Sequence, residues 1–386
     1  MQKELELYLH IPFCVKKCRY CDFLSFTASE KIQKSYVQAL CEEIKGWDGF
    51  RNRPISTIFI GGGTPSILPA QEIGRILKLI EEKRDHRFSK PEEITIECNP
   101  GTVDEATLKA YREYGINRLS FGLQSADNQE LKILGRIHTW EEFLESYHLA
   151  RQAGFENINV DLMSALPGQS ADSWRQTLEK VLSLKPEHIS AYSLIIEEGT
   201  PFYQLYGEAD RRRREDEPQT MLPTEETERE MYEDTGRILA DMGYYRYEIS
   251  NYAKAGKECR HNCGYWTGIE YKGFGLGSSS LLEHRRYRNT DSLEIYRKEG
   301  SHMEQTELLT EETEIEETMI LGLRMMKGVS KKEFYHKYKK NITDIYGDII
   351  RKYVKMGLME ENSHAIKLTE QGISVSNVIL SDFLLM

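Results

Sequence analysis

Three of the chain's seven cysteines, Cys14, Cys18 and Cys21, stand within eight residues of one another in the stretch HIPFCVKKCRYCDF. The spacing is C-x3-C-x2-C, and thiols so clustered point to metal. A structural zinc wants four ligands. His10 is the nearest fourth donor, but it sits in an apolar run that would have to bend sharply to deliver it. An iron–sulfur cluster suits three thiolates better, and a cubane held by three cysteines leaves one iron open for a ligand. A second chemical group lies far along the chain, in ECRHNCGYWTG. There Cys259 and Cys263 flank His261, a C-x-H-x-C that lacks a fourth ligand for zinc. Cys41 and Cys98 fall in a helical pattern and at a strand end, and read as packing residues. The odd count, without an export signal, does not read as a disulfide framework.

The elements that must position these groups alternate. Apolar runs over 5–11, 55–60, 93–98, 116–121, 155–162 and 188–194 predict strands. Helical periodicity predicts helices over 29–45, 69–82, 104–114, 140–153 and 171–184. Strand–helix steps of this kind build either a doubly wound sheet or a barrel. Glycines and charges gather just after the strands, as a site on the C-terminal rim requires, which favours a partial (β/α)6 barrel. Glycines of GGGTP (Gly61, Gly62, Gly63, Thr64, Pro65) permit close backbone approach. No Gly-Lys-Ser/Thr follows them, so a phosphate loop is not indicated. Glu97, Gln124, Arg136 and Asp161 stand at or near strand ends and together offer the partners of a polar, zwitterionic ligand.

With 386 residues, two or three domains are expected. We divide the chain as a barrel over 1–200, an α+β region over 201–310 that holds the HNxxYW pattern, and a C-terminal domain over 311–386. Residues 207–219 are strongly charged, Arg211 to Arg214 included, and read as a solvated loop. A helix over 223–242 and a strand over 244–249 follow. GFGLGSSS at 273–280 reads as a flexible wall of a ligand site. Three helices, a hairpin and a last helix make the tail winged-helix-like. That shape often binds DNA, but the candidate recognition region carries both charge signs. With a net charge of -11, the protein is not expected to bind nucleic acid. No 18-residue apolar run or signal peptide is present, so a cytoplasmic protein is expected.

HIPFC-x3-C-x-YC resembles the signature of radical S-adenosylmethionine (radical SAM) proteins. The resemblance implies a 4Fe–4S cluster on Cys14, Cys18 and Cys21, with S-adenosylmethionine on the open iron. It implies Gly62, Gly63 and Thr64 near the methionyl amine, and Tyr20 near adenine. Tyr8, HIPFC, GGGTP, IECNP, FGLQS, GR and DLM are similar to the oxygen-independent coproporphyrinogen III oxidase (HemN-like) group. That similarity implies that Tyr8, Glu97, Gln124, Arg136 and Asp161 bind S-adenosylmethionine.

Two branches share these motifs. One is the oxidase, which decarboxylates coproporphyrinogen III. The other, of the HemW type, binds heme and passes it to acceptors. The oxidase motif has a further cysteine where this chain has Phe23, and an N-terminal extension where this chain enters a strand by about residue 5. His261, Asn262, Tyr265 and Trp266 fit the HNxxYW pattern of the chaperone branch. Imidazole is a natural axial ligand of heme iron, so His261 is the candidate for that ligand or its close neighbour. The branch implies heme-acceptor proteins, membrane-bound respiratory enzymes among them, reached by peripheral contact with the membrane. It also implies a reductant for the cluster, and a monomer or weak homodimer.

Overall fold

A computed structural model describes residues 4–301 and 303–385. Six strands in parallel register form its centre: β1 (Leu5–Ile11), β2 (Ile55–Gly62), β3 (Glu93–Cys98), β4 (Arg118–Gln124), β5 (Ile158–Ser164) and β6 (His188–Ser193). They lie side by side in chain order, each linked to the next through helix. Beyond β6 the sheet continues with the hairpin of β7 (Tyr245–Glu248) and β8 (Asn251–Ala253). Beyond β1 it continues with β9 (Glu270–Phe274), parallel to β1, and then antiparallel β10 (Ser279–Leu282), β11 (Arg285–Asn289) and β12 (Met303–Leu308). The expected parallel barrel core is therefore present.

The side-chain period of 2 explains its two faces. Leu5, Leu7, Leu9 and Ile11 of β1 point outward and join helices Glu30–Gly46 and Ala70–Lys83 in the main apolar core. Glu6, Tyr8 and His10 take the other face. So do Thr57 and Phe59 of β2, Glu93 and Glu97 of β3, and Arg118 of β4. The inner face of this barrel is thus largely polar, and polar groups carried on rigid strands are well placed to hold ligands.

Two strands begin later than the apolar runs suggest. Gly115 and Gly154 have positive φ (92° and 87°), and the next residue bonds back into the helix: Ile116 N to Tyr111 O at 3.0 Å, Phe155 N to Ala150 O at 3.1 Å. Ile116 and Phe155 therefore close helices rather than open strands. The charged stretch expected as a loop is instead the end of helix Pro201–Arg214. Thr200 caps it and Pro201 stands in its first turn, both favouring initiation. Its arginines pair with Glu208, Asp210, Glu215 and Glu228, mostly at helical i,i+3 and i,i+4 spacing.

The tail packs helices Glu311–Gly322, Lys331–Tyr338 and Ile342–Lys355 around β13 (Val329–Ser330), β14 (Met359–Glu361) and β15 (Ala365–Leu368). It has its own apolar core of Ile315, Met319, Phe334, Tyr346, Ile350 and Ile366, among others. This is the expected winged-helix-like domain. Among the described residues, no helix is long and apolar enough to cross a membrane.

Candidate cluster site and the opposite barrel mouth

The cysteine loop leaves the C-terminal end of β1, and the structure holds it from several sides. His10 Nε2 lies 3.0 Å from Leu24 O and its Nδ1 lies 3.0 Å from the Tyr8 hydroxyl. Both nitrogens serve the loop's frame, so His10 is not placed as a metal ligand. The glycine loop after β2 docks on the same frame. Gly63 N donates to Ile11 O at 2.8 Å and Thr64 N to Phe13 O at 2.7 Å. A Cβ at Gly63 would come within 2.6 Å of Phe13 O, and one at Gly62 (φ 114°) within 2.5 Å of the His10 ring. Close backbone approach is what these glycines provide.

All three thiols are partly exposed, and each has a polar neighbour from a different segment. Thr64 Oγ1 donates to Cys14 Sγ at 3.7 Å, Arg136 Nη1 donates to Cys18 Sγ at 3.5 Å, and Ser25 Oγ lies 4.0 Å from Cys21 Sγ. Asn99 links the first two: its Nδ2 donates to Thr64 Oγ1 at 2.9 Å and its Oδ1 accepts from Arg136 Nη2 at 2.8 Å. Arg136 also donates to Gly122 O, while its buried Nε has no partner among the described residues. The Arg136 guanidinium sets a positive charge and a donor against the Cys18 sulfur. Donors aimed at sulfur, with one buried N–H still unmatched, fit an anionic thiolate-held cluster and an anionic group next to it. Among the described residues no three Cys, His, Asp or Glu side chains converge on a point where a single metal ion would sit. A cubane instead spreads its ligands over separate corners.

The rest of the rim is polar. Glu97 Oε2 accepts from Gly62 N at 3.0 Å, and burial, then repulsion from Asp161, push its carboxyl up to about 7. Asp161 is held by Asn159 Nδ2 (2.7 Å) and Ser120 Oγ (3.2 Å), and burial raises its carboxyl too. Gln124 ends β4 with φ 75°, an uncommon conformation for a side-chain-bearing residue and a frequent mark of function. The Tyr20 ring packs edge-on to Phe202, next to Arg136. Tyr8 lies deeper, its ring against Phe59. Asn99, within the quoted IECNP, is the partner that sequence reading missed. Its signal was adjacency to a strand end.

His261 is elsewhere. Helix Arg260–Thr267 plugs the N-terminal mouth of the barrel, opposite the cysteines. Glu93, the first residue of β3, accepts from the backbone N–H groups of Arg260 (3.0 Å) and His261 (3.2 Å) and from Cys259 Sγ (3.5 Å). His261 is 1% exposed. Its Nδ1 is 2.7 Å from Thr57 Oγ1, its Nε2 is 3.2 Å from the Tyr265 hydroxyl, and its ring stacks on Phe59. Burial lowers it to about 3, so it is neutral. In this arrangement both ring nitrogens have protein partners, and an iron would reach His261 only after one of those contacts opens. Tyr265 and Trp266, by contrast, reach the surface of a large cleft between this edge of the sheet and the C-terminal domain. GFGLGSSS is not a wall of that cleft. Gly275 N donates to Glu43 Oε2 at 2.9 Å, and a Cβ at Gly277 would meet Leu24, so the turn buttresses the cysteine loop.

The same mouth holds Glu6, buried against Gly264, where a Cβ would lie 2.0 Å from its carboxyl. Burial first, and Glu93 second, push Glu6 up to about 9. The folded chain keeps a proton that the unfolded chain releases above its ordinary carboxyl range. Stability from this group is therefore complete at acid pH and is lost as pH rises toward 9. Glu6→Gln should leave Tm unchanged near pH 5 and raise it near pH 9, where the gain in unfolding free energy is a few kcal/mol at most. Thermal unfolding at both pH values checks this; equal Tm at the higher pH would sink it.

A family model described as the radical SAM superfamily matches residues 8–181, and the HemN C-terminal domain matches residues 309–375. "Heme chaperone HemW" of Lactococcus lactis is 37% identical, covering 100% of this chain and 98% of its own. The protein of the same name from Bacillus subtilis is 36% identical, covering 98% of each. Among solved structures, coproporphyrinogen III oxidase (HemN) from Escherichia coli aligns with TM-score 0.83 and 23% identity, over 99% of this chain and 90% of that one. That likeness shows the fold.

Proposed function

The chain belongs to the HemW family, with a radical SAM barrel, and from that premise we propose that it is a heme chaperone that binds heme and hands it to acceptor proteins. One observation carries this reading: proteins named heme chaperones match the chain from end to end, through the barrel, the HNxxYW segment and the C-terminal domain. Phe23 standing where the oxidase motif has a cysteine supports it.

The radical SAM barrel implies a 4Fe–4S cluster and S-adenosylmethionine. Cys14, Cys18 and Cys21 hold the cluster, and Thr64, Arg136 and Ser25 bond their sulfurs. Gly62, Gly63, Thr64, Glu97, Gln124, Arg136 and Asp161 on the rim, together with Tyr20 and Tyr8, would hold S-adenosylmethionine. Bound there, the two cofactors supply one-electron chemistry. Handing over heme needs no such turnover, and we assign the protein no coproporphyrinogen oxidase activity. Heme contacts the motif through Tyr265 and Trp266, which face the cleft, rather than through His261. Acceptors include membrane-bound respiratory enzymes, met by a protein that works as a monomer or weak homodimer in the cytoplasm and touches the membrane only peripherally. A separate reductant serves the cluster.

The test is anaerobic. The reconstituted protein is given reductant, S-adenosylmethionine and coproporphyrinogen III, and in parallel is loaded with heme and mixed with an apo-acceptor. Heme should move to the acceptor, and the tetrapyrrole should be recovered unchanged. Stoichiometric conversion to the divinyl product would overturn the chaperone reading.

A further inference from the structure

The cleft beside Tyr265 and Trp266 has a volume of about 1010 Å³, at the top of the usual range for ligand sites. One wall is the sheet edge, with Tyr271 and Leu281; the other is the C-terminal domain, with Leu321 and Phe334. At its rim stands His284, in the two-residue turn that joins β10 to β11. Leu282 pairs with Arg285, and the two residues between them, Glu283 and His284, have φ of 49° and 66°. Turns of this type normally use Asn and Gly, because other side chains are strained there. A Glu-His pair keeps an unfavourable backbone, which is commonest at functional sites.

The histidine is also oriented. Its Nδ1 contacts a carboxylate oxygen of Glu314, from the C-terminal domain. A carboxylate only accepts, so Nδ1 carries a proton and Nε2 is the nitrogen left to take another partner. That is how metal-binding imidazoles are commonly held. Among the described residues Nε2 has no hydrogen-bond partner, and the side chain is 58% exposed. The cleft's cations complete the picture. Arg286 is matched by Glu317, whereas Lys327 and Lys337 make no ion pair with a carboxylate among the described residues. Of the cleft's carboxylates, Glu270 is matched by Arg53, Glu311 by Lys340, Glu314 by His284 and Glu317 by Arg286, while Glu4 and Glu333 also line it.

We propose that this cleft is the heme site, with His284 as an axial ligand to the iron, and with Lys327 and Lys337 as partners of the propionates. The inference rests on the heme-binding reading above and gives it a place. The site then lies at the barrel mouth opposite the cysteine loop, about 15–20 Å away along β1 at roughly 3.3 Å per residue. It also spans two parts of the chain, so a shift of the C-terminal domain would open it and move Glu314 away from His284.

The test uses the full chain and two probes, ferric heme and metal-free protoporphyrin IX, each titrated by absorbance and tryptophan quenching. His284→Ala, at an exposed turn, should weaken ferric heme roughly 10–100-fold and change its spectrum, and leave metal-free porphyrin unaffected. Lys327→Glu with Lys337→Glu should weaken both probes. Heme binding by the parent chain with unchanged affinity and spectrum in both variants would overturn the site while sparing the chaperone reading. No heme binding by the parent chain would overturn both.

Discussion

Cys18→Ala, reconstituted anaerobically beside the parent chain, is expected to lose its iron, its sulfide and the broad visible absorbance of the cluster. Cys14→Ala and Cys21→Ala should do the same, because three thiolates are the whole protein ligand set and two leave a second iron exposed to solvent. The loss should be local. All three thiols lie on a partly exposed loop rather than in the apolar core, so the far-UV spectrum and Tm of the metal-free variants should match those of the metal-free parent. Heme binding should also persist, since the cleft is built from the other end of the barrel. Full cluster absorbance in any one variant would remove that cysteine from the site. Loss of heme together with the cluster would contradict the separation of the two sites.

Arg136→Met should have the second largest effect, and it acts on two properties at once. The side chain is partly buried and donates to Cys18 Sγ, Asn99 Oδ1 and Gly122 O. Methionine fills much of the volume but leaves two oxygen acceptors unmatched, at about 1–3 kcal/mol each. It also removes a positive charge and a hydrogen bond from a cluster sulfur, which should lower the reduction potential. Potentiometric titration followed by electron paramagnetic resonance checks the direction, and thermal unfolding checks the stability. A potential that rises, or a Tm equal to that of the parent, would show that Arg136 does not support Cys18 as the structure arranges it. Arg136→Lys should recover part of the potential but not the fork that ties Cys18 to Asn99.

The sequence was most legible where structure is local. Six apolar runs separated by helical periods are enough to place parallel strands, because each pattern depends only on its own side-chain period. The misreadings were also local in origin. Ile116 and Phe155 look like strand residues, but a left-handed glycine before each turns the chain back onto its own helix. The arginine run looks like a loop when counted residue by residue. It becomes a helix once Thr200, Pro201 and the i,i+4 acidic partners are taken together. The strands β8 to β12 were not anticipated, since short edge strands owe their existence to the neighbour they pair with.

The cysteine spacing and the glycine loop were enough to locate the cluster, because the ligands of a cubane on one loop are neighbours in sequence. The identity of Asn99 as the link between Thr64 and Arg136 needed the fold, which brings three strand ends together. The same is true of His261. Its motif suggested a heme ligand or the close neighbour of one; β9 pairs in parallel with β1 and leaves the preceding helix at the N-terminal mouth of the barrel, with the imidazole turned inward onto Thr57 and Phe59. Which end of a barrel a segment reaches depends on pairing between residues more than two hundred positions apart. Residue types set what chemistry is available; the long-range pairing of β1 with β9 decided that the cysteines and the aromatic pair of the HNxxYW segment serve opposite ends of the molecule.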